Sequence, residues 1–227
     1  MSAGFIVYFI LLLIIPIWAQ MRVKGTYKKY SKVQTSSGMT GAQVARKILN
    51  DNGLYDVNVE EVRGTLTDHY DPRSKVVRLS TNNFHGTSVA GAAVAAHEVG
   101  HAIQDQEEYA FLRFRSALVP VASFGSNASF FLIIAGMLMY SSNLILLGIF
   151  AMAAAVLFQL VTLPVEFNAS SRAMEKIVSS GVIRNDEERE TKKVLNAAAL
   201  TYVAGALVAL LELVRFILIY VGMNNED

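Results

Sequence analysis

The chain of 227 residues contains four histidines, and two of them stand four apart in the run HEVGH at 97–101. On a helix, positions i and i+4 lie on one face, one above the other. His97 and His101 can therefore turn both imidazoles toward one metal ion at about 2.0–2.1 Å. Glu98 follows the first histidine, at the side where a metal-held water would sit. The metal makes such a water acidic; a carboxylate there can take its proton and later hand it to a leaving amine. This is the mechanics of the H-E-x-x-H pattern in zinc peptidases, with Glu98 as the general base. The bland alternative is a chance match. Against it, two imidazoles and a carboxylate are costly in a helix otherwise made of small apolar residues. The chain has no cysteine, which excludes disulfides, thiolate metal sites and a cysteine nucleophile. Imidazole and carboxylate donors suit zinc best, and one ion per chain is expected.

A catalytic zinc usually has three protein ligands and one open position. The other histidines are His69 and His85, and the downstream acids are Asp105, Glu107, Glu108, Glu166 and Glu175. Asp105 shares the face of His101, but ligands on three consecutive turns of a straight helix do not converge. Glu166 fits better. It follows Pro164, a residue favoured near helix starts, and a helical hairpin upstream returns the chain to the side it left.

Residues from about Thr87 to Gln104 are dominated by alanine, which predicts a helix despite Gly91 and Gly100. Residues 40–53 read as an amphipathic helix capped by Thr40 and stopped by Gly53. VNVEEV (57–62) alternates as a strand does. Leu66–Tyr70 and Lys75–Leu79 read as two short strands of a hairpin about Asp71-Pro72-Arg73-Ser74.

These elements belong to a chain that is 53% hydrophobic and 17% charged, with a mean hydropathy of +0.37. Apolar residues concentrate in blocks, a pattern of membrane proteins. The net charge of +1 argues against a nucleic-acid partner, which needs a basic face. Four stretches are long enough to span a bilayer: Gly4–Ala19, Ala117–Tyr140, Leu144–Leu163 and Ala197–Met223. The expected organisation is an anchor at 1–21, a catalytic segment at 22–116, a transmembrane hairpin at 117–163, a helical segment with the third ligand at 164–196, a last span at 197–223, and a tail at 224–227. Lys and Arg flank the spans only within the segments 22–116 and 164–196. By the positive-inside rule both face the cytoplasm. Inside the last span, Glu212 and Arg215 stand three apart. Intramembrane charges often mark function, but a self-neutralising pair is the favoured reading.

HEVGHAIQ, two spans and then LPVEFNASSRA, together with GLYDVNVEEVRGTLTDHYDPRSKVVRLS (53–80), make the chain resemble the YugP-type neutral zinc metallopeptidases of bacterial membranes. The similarity runs over nearly the whole chain. It implies a zinc-dependent integral peptidase of the bacterial inner membrane with Glu166 as third ligand. More distantly the chain is similar to the HtpX-like and CAAX-prenyl-protease gluzincins, which place two spans between the motif and an E-x-x-x-D helix. Here the position four after Glu166 is Ser170. The carboxylate that would orient a ligand histidine is absent, and Asn168, Ser170 or a residue of the hairpin could take its place. In zincins of this kind a strand beside the catalytic helix pairs with the substrate backbone. That makes Leu66, Thr67, Asp68 and Tyr70 the expected substrate contacts and His69 a candidate oxyanion donor; the alternative is a hairpin packed at a membrane surface.

The expected architecture is a multi-pass α-helical membrane protein with a small α+β gluzincin-like cytoplasmic domain carrying the HExxH helix. The expected activity is endoproteolysis of membrane-protein or membrane-proximal peptide substrates. One rival is a non-proteolytic membrane scaffold with a structural zinc, which would need a fourth protein ligand. Another is a metal transporter, which would need ligands at mid-membrane depth. Both rivals leave Glu98 dispensable.

Overall fold

The computed structural model describes residues 3–224. The expected tail therefore lies, but for its first residue, outside the described residues. The chain divides into two compact units, one formed by residues 19–109 and 165–201, the other by residues 1–18, 110–164 and 202–227.

The first unit holds a three-stranded sheet among helices. Helix α2 (Gly41–Asp51) begins at Thr40, whose side chain accepts from the Gln43 amide while the Gln43 side chain accepts from Thr40 N–H. This reciprocal arrangement satisfies two otherwise unpaired donors. Val44, Ala45, Ile48 and Leu49 lie on its buried face. Strands β1 (Asn58–Val62), β2 (His69–Asp71) and β3 (Val76–Ser80) order as β1-β3-β2. β3 is parallel to β1 and antiparallel to β2, and as the central strand it is the most buried.

The hairpin differs from expectation at its start. Strand β2 begins at His69, not Leu66, because Leu66 has φ +57° and Gly64 φ +120°. A leucine in the left-handed region breaks an extended run. A short helix, α3 (Thr81–His85), leads into α4 (Val89–Gln106). Helix α4 starts two residues later than the composition suggests. Ser88 caps it by accepting from Gly91 N, and the Thr87 carbonyl is taken by Thr35 N–H at 2.9 Å.

In the second unit, α5 (Ala110–Leu138) and the part of α6 (Ser142–Ser179) up to Pro164 form a hairpin around Tyr140. Glycines let them close up. A methyl on Gly125 would stand 2.5 Å from the Ala151 carbonyl oxygen, and one on Gly148 would stand 2.5 Å from Ile133. Small residues at such contacts are how helices pack in lipid, where burial of apolar side chains drives little.

Among the described residues, helices α1 (Ala3–Tyr30), α5, α6 and α7 (Asn185–Asn224) are the four long and apolar enough to cross a membrane. Large apolar side chains such as Leu13, Phe131 and Phe150 are exposed on them, as lipid contact requires. Helices α1, α6 and α7 run past their expected spans at both ends, whereas α5 starts earlier than expected but stops at Leu138, two residues short of Tyr140. Helix α6 is unbroken through Pro164, so the residues after the third apolar stretch stay helical to Ser179.

Candidate metal centre

Helix α4 offers His97, Glu98 and His101, and α6 offers Glu166, all within the unit that holds the sheet. The two helices meet closely at Gly100. A Cβ there would sit 2.6 Å from the Ala169 carbonyl oxygen, so only glycine lets the backbones approach this far.

The approach brings three donors together. Glu166 Oε2 lies 3.3 Å from His97 Nε2 and 3.5 Å from His101 Nε2. All three ligand atoms lie within 4.8 Å of one another. Tetrahedral zinc with bonds of about 2.0–2.1 Å sets its ligands about 3.3 Å apart, and the two separations from Glu166 match that spacing. Among the described residues the group has three members, and no fourth His, Asp or Glu joins it. Glu166 is 2% exposed and Glu98 8%.

The charges follow from this crowding. Burial alone would lower the His101 imidazole. The Glu166 carboxylate beside it, with help from Glu98 and Gln104, outweighs burial and raises it. Burial would raise the Glu166 carboxyl, but hydrogen bonding and charge from His101 and His97 hold it below the usual carboxylate range.

Behind the imidazoles stands a polar support. His101 Nδ1 lies 3.0 Å from Gln104 Oε1. Fully buried Gln104 donates through Nε2 to the Val165 carbonyl at 2.8 Å and to Asn168 Oδ1 at 2.9 Å. With its NH2 committed to two acceptors, Gln104 can only accept from His101. The His101 proton therefore sits on Nδ1, and the Nε2 lone pair faces the other ligands. Arg172 Nε also donates to Asn168 Oδ1, at 2.7 Å, and Arg172 is paired with Glu107. On the other histidine, Ser170 Oγ lies 3.2 Å from His97 Nδ1. Ser170 thus occupies the rear of one ligand directly, while Asn168 acts on the other through Gln104.

Gln104 escaped the sequence reading. The signal was present as a polar residue three places after His101 on an otherwise apolar helix face, within reach on the next turn.

The strand residues sit as follows. Tyr70, on β2, donates its hydroxyl to Asp105 Oδ2 at 3.0 Å, so Asp105 is engaged with the sheet and stands outside the ligand group. His69 is exposed, with Nδ1 2.9 Å from the Thr67 carbonyl. Leu66 and Thr67 precede the strand, and Thr67 Oγ1 donates to the Arg63 carbonyl. The Asp68 carboxylate accepts from Ser80 N–H at 2.7 Å and from Asn83 Nδ2 at 3.0 Å. Its side chain ties the loop to the start of α3, which leaves its backbone for other partners. His85 pairs with Glu61, and Glu175 with Lys176. In the other unit, Arg215 pairs with Glu212 at 2.7 Å, and the Tyr8 hydroxyl donates to the same carboxylate at 2.6 Å.

No solved structure matches the chain. A curated relative from Bacillus subtilis (strain 168), named "Putative membrane protease YugP", is 59% identical over 210 residues, covering 92% of this chain and 93% of the relative. The profile of a family described as "Putative neutral zinc metallopeptidase" matches residues 5–221. A match of that length takes in both helices of the ligand group, and the chain belongs to this zinc metallopeptidase family.

Proposed function

We propose that the protein is a membrane-embedded zinc endopeptidase with a gluzincin-like centre, cutting membrane or membrane-proximal proteins on the cytoplasmic side of a bacterial inner membrane. The observation that carries the reading is a group of three donors, half-buried His97 and His101 with buried Glu166, together with a buried carboxylate, Glu98, on the helix of the two histidines. Three protein ligands leave a coordination position for chemistry, whereas a structural zinc is closed by four.

His97, His101 and Glu166 would hold the ion, which supplies Lewis acidity to water and to the scissile carbonyl. Gln104 and Ser170 keep the two imidazoles aimed. Glu98 takes the proton from the attacking water and delivers it to the leaving nitrogen. Strand β2 has β3 on one side only, and its other edge can take an extended substrate by backbone pairing, with Leu66, Thr67, Asp68 and Tyr70 beside it. His69, the first residue of that strand, is our candidate for the oxyanion. In a neutral ring with its proton on Nδ1 toward the Thr67 carbonyl, Nε2 has none to give, so His69 serves as a donor only when charged. The cytoplasmic side follows from the basic flanks, and membrane substrates from the apolar helix α6 that carries Glu166.

The test pairs metal content with proteolysis of a membrane-protein substrate in liposomes, for the wild type and Glu98→Gln. Loss of a general base costs about 10²–10⁴ in rate. The expected result is about one zinc per chain in both proteins and cleavage by the wild type alone. If both hold zinc and neither cleaves, the protein is a scaffold with a bound metal.

A further inference from the structure

In the unit that holds the sheet, the basic half of α1 and the start of α7 enclose a groove of about 610 Å³. Arg22, Lys29 and Lys193 line it together with Asn196 and Leu200, and its lining contains no carboxylate. Among the described residues, none of the three cations is in an ion pair, and all three are exposed. Lys29 leans over the ring of Tyr30, 5.3 Å from its centroid.

The position of the groove along the chain is as telling as its charge. Arg22 comes three residues after the apolar stretch that ends at Ala19, and Lys193 four residues before the stretch that begins at Ala197. Basic residues beside the ends of spans need only be near the bilayer surface to set orientation. Those here do more: cations from two helices converge on one concavity with an amide donor and an apolar wall.

We propose that this groove binds the phosphate headgroup of an anionic phospholipid, with Arg22, Lys29 and Lys193 around the phosphate, Asn196 donating to it, and Leu200 against the first acyl carbons. Basic pockets between membrane helices recognise such headgroups. A zwitterionic headgroup brings its own cation into the same cluster and is disfavoured. The binding is independent of the metal centre and of the peptidase reading.

The experiment measures lipid retained by the purified full-length protein, by native mass spectrometry, after exchange into micelles doped with equal phosphatidylglycerol and phosphatidylcholine. The wild type is expected to retain phosphatidylglycerol preferentially. Each cation facing anionic lipid is worth roughly a factor of five, so Arg22→Gln/Lys29→Gln/Lys193→Gln should lower retention by about a hundredfold. Lys24→Gln/Lys28→Gln/Lys32→Gln removes the same charge from residues outside the groove and should lower it little. A third variant leaves the charge alone. Gly25 lines the groove, and a Cβ there meets nothing within 4 Å, so Gly25→Trp fills the space and should also abolish retention. Equal loss in the two triple variants, or full retention in Gly25→Trp, overturns the site. If inorganic phosphate at millimolar concentration displaces the lipid completely, the groove is a general anion site and the lipid assignment falls.

Discussion

Substituting Gly100 with alanine sets two effects of known sign against each other. In an ordinary helix interior the change stabilises by about 1 kcal/mol, because glycine has more freedom to lose on folding. Here the new methyl would stand 2.6 Å from the Ala169 carbonyl oxygen and 3.3 Å from its Cα. Restoring ordinary contact requires α4 and α6 to part by about 0.8 Å, and overpacking of this kind costs about 1–3 kcal/mol. Together they leave folding between unchanged and about 2 kcal/mol weaker. The metal has no such offset, since ligand distances must hold within about 0.2 Å, and Glu166 sits three residues from the contact. Gly100→Ala should therefore melt no more than several degrees below the wild type in the presence of chelator, yet bind zinc roughly ten- to hundredfold more weakly against a competing chromophoric chelator. Gly91→Ala on the same helix is the control. Its Cβ would meet Ser88 Oγ at an ordinary 3.4 Å, so it should keep zinc and gain stability. Wild-type zinc affinity in Gly100→Ala would refute the claim that this close approach sets the ligand geometry.

Gln104→Leu removes the acceptor of the His101 proton and should weaken zinc by about 10–100-fold, measured by the same competition; Gln104→Glu, which can still accept, should recover part of it. Zinc must displace the proton that Glu166 helps His101 to hold, and that imidazole is raised above 6.5. Zinc affinity should then decline as pH falls through a value above 6.5, and Glu166→Gln should move the onset of that decline to lower pH, as read by metal titration across pH. Glu187 accepts from Ser36 N, Ser36 Oγ and Arg184 N. Burial raises its carboxyl, but these donors prevail and lower it below 4.5. Its contribution is complete above pH 4.5 and is lost as pH falls through the depressed value; Glu187→Gln should flatten the acid limb of thermal stability at constant zinc.

Much of this arrangement could be read from residue order. Thr40 with Gln43 three places on marks the start of α2, and alternation in VNVEEV marks β1. The nearness of Glu166 to the histidines follows from simple topology, since a hairpin of two apolar helices returns the chain to its starting side. What escaped depends on contacts between distant segments. The parallel pairing of β1 with β3 places a crossover strand in the centre, which no local pattern encodes. The left-handed conformation of Leu66 contradicts its own preference and is imposed by the turn around it. Gly100 looks like a liability in a helix until Ala169 is seen against it, and Gln104 looks like a surface residue until its three partners arrive.

The support of His101 by residues beyond the hairpin also bears on how the protein is made. Gln104 precedes its acceptor Val165 by 61 residues, and Glu166 comes one residue later still. During synthesis the HEVGH helix leaves the ribosome well before α6 exists. Until the second helix of the hairpin has been made, the ligand set has two members and the amide that aims His101 has nothing to hold it. On the proposed reading, the nascent chain holds an incomplete metal centre until both helices of the hairpin have been made, with only α7 still to come.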